Sequence, residues 1–184
     1  TITGTGEGTY TIDSTTGAVT FTPEPQFTGT AKGIDVSLTA PVGQDKNGQP
    51  VTATATAKYT PTVTPVKPTA TPAETTDVQG KAQTGLPEFK GGKVTINGEE
   101  KVVPIDETKA PKLIDPKTGN PVDSVTVEGE GTYTIEDGKV KFQPEPQFTG
   151  TATGVEVQRE DTNGTPVKAK YTPTVTPVKP TGED

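Results

Sequence analysis

The chain has 184 residues and a net charge of −7; 27% of its residues are hydrophobic, and it contains no Cys, His, Met or Trp. Without Cys there is neither a disulfide nor a thiolate metal site, and without His the usual general base and the commonest transition-metal ligand are missing. The acidic balance opposes a phosphate-backbone partner, which needs clustered Lys and Arg, and no apolar run approaches membrane-spanning length.

Taken in chain order, the apolar residues fall into short alternating runs. Tyr10 and Ile12, then Val19 and Phe21, flank the turn Asp13-Ser-Thr-Thr-Gly17 and read as a hairpin with one face inward. Ile34, Val36 and Leu38 alternate again, ahead of Asp45-Lys-Asn-Gly48, whose Asn-Gly suits positive φ. Tyr59 opens a run carrying Pro61, Pro65 and Pro68, which no central strand should hold, so Tyr59–Thr69 is expected as an edge strand leading into an extended connection. Pro68 and Pro72 then predict a semi-rigid linker over residues 70–75, and a stiff junction between compact domains predicts a rod. Beyond it, Val94-Thr-Ile96 and Lys101-Val-Val103 flank Asn97-Gly98 as a further hairpin. Lys112-Leu-Ile114 and Val125-Thr-Val127 flank the turn-rich stretch from Asp115 to Pro121. Tyr133/Ile135, Val140/Phe142 and Val155/Val157 then repeat the earlier alternation, and Asp161-Thr-Asn-Gly164 repeats the earlier turn. No segment has a helical period.

That repetition organises the chain. Tyr59–Thr69 recurs unchanged as Tyr171–Thr181, Pro23–Ala31 as Pro144–Ala152, and Gly6-Glu-Gly-Thr-Tyr-Thr-Ile12 matches Gly129–Ile135. The stretch from about Thr76 to Val125 has no counterpart in the first copy. The expected fold is therefore all-β, with tandem antiparallel β-sandwich repeats of which the first is incomplete at its N-terminus. Residues 1–69 are the later part of a first repeat and 76–184 a complete second one. Opening at Thr1 with no signal-peptide pattern, the chain reads as a piece of something longer.

Gly (21) and Pro (19) lean toward loops or disorder, but disorder does not require alternation. The 38 threonines against three serines suit a pleated, half-wet surface better than a glycosylated Ser/Thr/Pro stalk, a reading left only for the linker. With so little apolar bulk, the core must draw on Tyr10, Ile12, Phe21, Phe27 and Tyr59 in the first copy. Their matches Tyr133, Ile135, Phe142, Phe148 and Tyr171 serve the second, with Phe89 as an unmatched addition. A repeated ligand platform is the competing use of these rings.

Three chemical sites are weighed and set aside. Asp45-x-Asn47-Gly48 and Asp161-x-Asn163-Gly164 resemble the start of a calcium loop but lack the later ligands, so they read as turns. Asn47, Asn97, Asn120 and Asn163 all sit in turn-like contexts, poor places for a buried Lys–Asn crosslink. Glu128 with Glu130, or Glu24, offers carboxylates for acid–base work but no pocket-forming motif frames them. No enzyme activity, catalytic residue, metal or cofactor is expected.

The ordered set Gly129–Ile135, Gly138-Lys-Val-Lys-Phe142, Pro146–Ala152, Asn163-Gly-Thr-Pro166 and Tyr171-Thr-Pro-Thr-Val175 resembles the CshA-type fibril repeat. Val78-Gln-Gly-Lys-Ala-Gln-Thr-Gly85 and Lys112-Leu-Ile-Asp-Pro-Lys-Thr-Gly119 resemble the same family's opening motifs. The resemblance implies a large, wall-anchored adhesin of a Gram-positive, streptococcal-type bacterium, in which many repeats form a shaft. It thus implies an extracellular stalk or spacer that projects an adhesive region from the cell wall. The alternative is that the repeats are themselves an adhesion module. The implied partners are neighbouring repeats of the same polypeptide, with host matrix proteins or other fibrils met through the parent; the fragment itself is expected to be monomeric.

Overall fold

Asp and Gly residues punctuate the chain closely, and most of its strands are short. In the computed structural model, which describes residues 1–182, there is no helix among the described residues. The chain divides into two compact units, Thr1–Pro65 with Ile96–Glu99, and Val66–Thr95 with the chain from Glu100 onward.

The first unit contains β1 (Ile2–Gly4), β2 (Gly8–Ile12), β3 (Val19–Pro23), β4 (Gly29–Thr30), β5 (Ile34–Gln44), β6 (Pro50–Tyr59) and β7 (Thr62–Val63). Strands β1, β2 and β3 form one antiparallel sheet, in which Tyr10 lies opposite both Ile2 and Phe21. The predicted hairpin turn is closed by Asp13, whose carboxylate accepts the backbone N–H groups of Thr15 and Thr16. Strands β5 and β6 make a long two-stranded ribbon, and only Ile34 and Val36 of its inward positions are half-buried.

The second unit begins with β8 (Thr69–Thr71), β9 (Ala73–Val78), β10 (Gln83–Gly85), β11 (Glu88–Lys90), β12 (Lys93–Ile96) and β13 (Glu99–Val102). It continues with β14 (Lys112–Ile114), β15 (Pro121–Val122), β16 (Ser124–Val127), β17 (Gly131–Glu136), β18 (Lys139–Pro144), β19 (Gly150–Thr151), β20 (Val155–Glu160) and β21 (Pro166–Thr176). One sheet has the order β10-β18-β17-β16; the other runs β15-β14-β20-β21-β19, with β9 added to β21. Val125, Tyr133, Val140 and Phe142 from the first sheet pack against Leu113, Val155, Val157, Tyr171 and Val175 from the second. This is a β-sandwich, and the chain is an all-β tandem repeat.

Two local features show why the sequence closes this way. Asn97 and Asp137, each followed by Gly, take positive φ (52° and 51°), as two-residue hairpin turns require. Gly131 admits no side chain: a Cβ there would collide with the Gln143 carbonyl and come within 2.7 Å of the Phe142 ring. Gly8 meets Phe21 in the same way in the first unit. The Gly of Gly-Glu-Gly thus makes room for the aromatic opposite it.

The structure corrects one expectation of the fold. Residues 70–75 are not a semi-rigid linker between repeats: β8 pairs with β11, and β9 pairs with β21, so these residues belong to the second unit. The alternation Ala73, Thr75, Asp77 half-buried against Glu74, Thr76, Val78 exposed is a strand pattern masked by its polarity. In Tyr59–Thr69, Thr62–Val63 pairs with β4 alone, as an edge strand does, whereas the identical run at Tyr171–Thr176 is an inner strand, with β9 on one side and β19 and β20 on the other. Pro173 lies opposite Ala152 and keeps one of that pair's two ladder bonds, its carbonyl accepting the Ala152 N–H at 3.0 Å. The cost of the proline is the single return bond to Ala152 that it cannot donate. Across the turn-rich stretch, Lys112–Ile114 joins β15 and β20 while Val125–Val127 joins β17, so the chain changes sheets between them.

Candidate load-bearing site

The repeated aromatics build the same cluster twice. Tyr133 and Phe142 have ring centroids 4.6 Å apart, and Tyr171 meets Tyr133 edge-on at 6.3 Å. Tyr10 with Phe21 (4.7 Å) and Tyr59 (6.2 Å) reproduces that arrangement, with Phe27 edge-on to Phe21 at 6.4 Å. Tilted and edge-to-face contacts at these distances suit the ring quadrupoles.

Burial separates the two copies. Tyr133, Phe142 and Tyr171 are fully buried, while Ile135, Phe148 and Phe89 are half-buried against the same core. In the first unit Tyr10 is buried and Phe21 and Phe27 are half-buried. Ile12 is 56% exposed and Tyr59 36% exposed, so neither is a core residue as expected. The reason is missing cover. In the second unit β10 lies along the outer edge of β18, and β9 lies beside Tyr171; the first unit has no equivalent of either. Its Ile2, Tyr10, Ile12, Val19, Ile34 and Val36 line an open cleft of about 200 Å³ instead.

Around Tyr171 the second unit holds a polar latch. Thr75 on β9 donates to the Gln83 side-chain carbonyl at 2.6 Å and lies 2.6 Å from the Tyr171 hydroxyl. Gln83, 4% exposed, donates in turn to the Thr174 carbonyl at 2.8 Å. Strands β9 and β10 are thereby bolted to β21 through buried side chains as well as through the backbone. Further along, Gln79 donates its backbone N–H to Thr176 and its side-chain amide to Pro146, both at 2.8 Å. Burial raises the Tyr171 phenol above its ordinary value, against the smaller opposing effect of Thr75. Tyr133 is raised too, chiefly by burial and then by the Glu130 charge. Both phenols are therefore held in the neutral form above the ordinary tyrosine value; that of Tyr171 is bonded to Thr75, whereas the buried Tyr133 hydroxyl has no partner among the described residues. Sequence reasoning assigned Thr75 to the linker and gave Gln83 no role. Gln83 stood inside a family opening motif, but polar residues in a Gly-rich run carry no burial signal.

Several of the carboxylates considered for chemistry have structural partners, although Asp161 Oδ2 is buried without one among the described residues. Asp161, 1% exposed, accepts the backbone N–H groups of Asn163 and Thr165 at 2.9 Å, and Asp45 does the same for Asn47 and Gln49. In these turns Gly48 and Gly164, not the asparagines, take positive φ. Among the described residues no cluster of three acidic side chains is placed to hold a metal ion. Glu130 accepts both the backbone N–H and the hydroxyl of Thr153, at 2.6 and 2.8 Å, and its match Glu7 accepts the Lys32 N–H. Glu24 accepts from Gln26.

A comparison with protein families matches the surface adhesin CshA repetitive domain to residues 1–63 and again to 65–175. None of the curated proteins compared with the chain matches it.

Proposed function

Since the chain belongs to the surface adhesin CshA repetitive domain family, we propose that it serves as a non-enzymatic spacer in a bacterial surface fibril, carrying an adhesive region away from the cell wall. One observation carries this reading. In the second unit β9 begins at Ala73 beside Tyr171 and the last strand, β21, ends at Thr176 beside Val78, because β9 and β21 run parallel. The start of β9 and the end of β21 therefore lie at opposite ends of the pair, about 17 Å apart at roughly 3.3 Å per residue. An antiparallel pair would return the chain to its starting end, whereas this module adds length with each copy. Residues 1–69 are read as the later part of another such module, whose uncovered β3 and β5 edges await the strands that β10 and β14 provide in the second. Membership of a surface adhesin family supports a place at the cell surface.

The competing reading, an adhesion module, is favoured by the first unit's ribbon, where Leu38 is 73% and Val42 62% exposed. Binding of the isolated chain to immobilised host matrix proteins decides between them. The spacer predicts no saturable binding; saturable binding lost in a Leu38→Thr, Val42→Thr variant establishes the module.

A further inference from the structure

We propose that the parallel pair β9–β21 is a shear clamp that makes the second sandwich resist being pulled end to end. This deepens the spacer reading, on which its biological use rests, but the clamp itself follows from geometry alone.

Six consecutive residues pair in register, from Tyr171 with Ala73 to Thr176 with Val78. Once the three-residue β8–β11 pair upstream has opened, tension reaching Ala73 pulls β9 backward along its own axis, while tension leaving at Thr176 pulls β21 forward along the same axis. The two strands can separate only by sliding, so every ladder bond carries load together. Peeling would load them one at a time, and each would fail alone. The side chains strengthen the sliding coordinate in particular. Thr75–Tyr171, Thr75–Gln83 and Gln83–Thr174 link β9, β10 and β21 across the direction of slip. These bonds are buried or part-buried, so water is poorly placed to replace them as they break. Gln79 and Thr176 close the exit end, with Thr176 Oγ1 donating to the Asp77 carbonyl at 3.3 Å. The sheet's remaining neighbours, β19 and β20, hold β21 from the other side, so β21 does not simply follow β9. The first unit has no counterpart of β9, and its Tyr59 has no such latch.

Single-molecule force measurement on the full chain tests this, and the absence of Cys makes handle placement clean. One arm pulls from the two chain ends. The other pulls from Lys81→Cys, an exposed position just past β9, against the C-terminus, which opens the pair from its Val78–Thr176 end. The end-to-end arm should show one long-lived event, releasing residues 73–176 with a length gain of roughly 33–36 nm. At the same force the Lys81 arm should open at least about tenfold faster, since forced unfolding is set by the unfolding rate of the loaded path. Gln83→Ala should shorten the end-to-end lifetime roughly tenfold and leave the peeling lifetime nearly unchanged. Equal lifetimes in the two arms, or a Gln83→Ala effect of equal size in both, overturns the clamp. Should Gln83→Ala fail to fold, the two-arm comparison with the native residue still decides. Failure of the clamp leaves the binding test of the spacer reading intact, and saturable host binding leaves the clamp measurement intact.

Discussion

Tyr59 and Tyr171 stand in identical eleven-residue stretches, yet one is 36% exposed and the other fully buried. The same contrast runs through the copies. Ile2 is 54% exposed where the matched Val125 is 6%, and Val19 is only half-buried where Val140 is fully so. The two units share their hairpin, their aromatic cluster and their Gly-Glu-Gly turn. They differ in the strands that cover those elements: β9, β10 and β14 exist only in the second. A β-sheet face is worth little until a second layer excludes water from it, so the same residues contribute a core in one unit and a wet cleft in the other.

The largest test of that contrast is aromatic truncation. Phe142→Ala should cost the second unit about 3–5 kcal/mol, while Phe21→Ala should cost the first distinctly less, because a half-buried ring leaves a smaller void. Urea denaturation followed by residue-resolved hydrogen exchange would read both; equal losses would show that cover is irrelevant. Next comes Gln83→Ala, expected to destabilise the second unit by about 1–3 kcal/mol through unpaired buried partners, with no effect on exchange in residues 1–65. If the first unit responds equally, the latch is not local.

Alkaline titration gives a smaller and graded effect. Tyr171 and Tyr133 have folded-state pKa values raised by burial, so the native state holds its phenol protons where the unfolded chain releases them. Their contribution is fully present below the unfolded value near 10 and is lost as pH rises above it toward the folded values. The second unit's unfolding midpoint should therefore fall above about pH 10, and the Tyr171→Phe variant should show a shallower fall. An identical slope in that variant would break the assignment. Smallest of all, Leu38→Lys on the open ribbon should change stability by no more than about 0.5 kcal/mol, whereas Leu113→Ala in the covering strand should cost about 2–5 kcal/mol.

Much of this was legible in residues. Alternation marked the β2–β3 and β17–β18 hairpins, Asn97-Gly98 and Asp137-Gly138 marked tight turns, and matched aromatics marked the cluster. The prolines carried only part of the answer. In Tyr59–Thr69 they argued for an edge strand, and there Thr62–Val63 pairs with β4 alone; the identical run at Tyr171–Thr176 lies inside a sheet because β9 covers its other side. Likewise residues 70–75 resembled a linker, since the Thr, Glu and Asp of the strand Ala73–Val78 carry no apolar alternation. Its pairing depends on β21, about a hundred residues away.

By itself the sequence determined the all-β character, the duplication, the turn positions and the rings each copy brings together. All of these rest on local propensity or on identity between copies. Only the tertiary structure decided which rings are dry, which strand lies inside a sheet, and that the entering and leaving strands run parallel. Those outcomes depend on which distant segments cover a given face, and covering is a long-range event that no short stretch of sequence encodes.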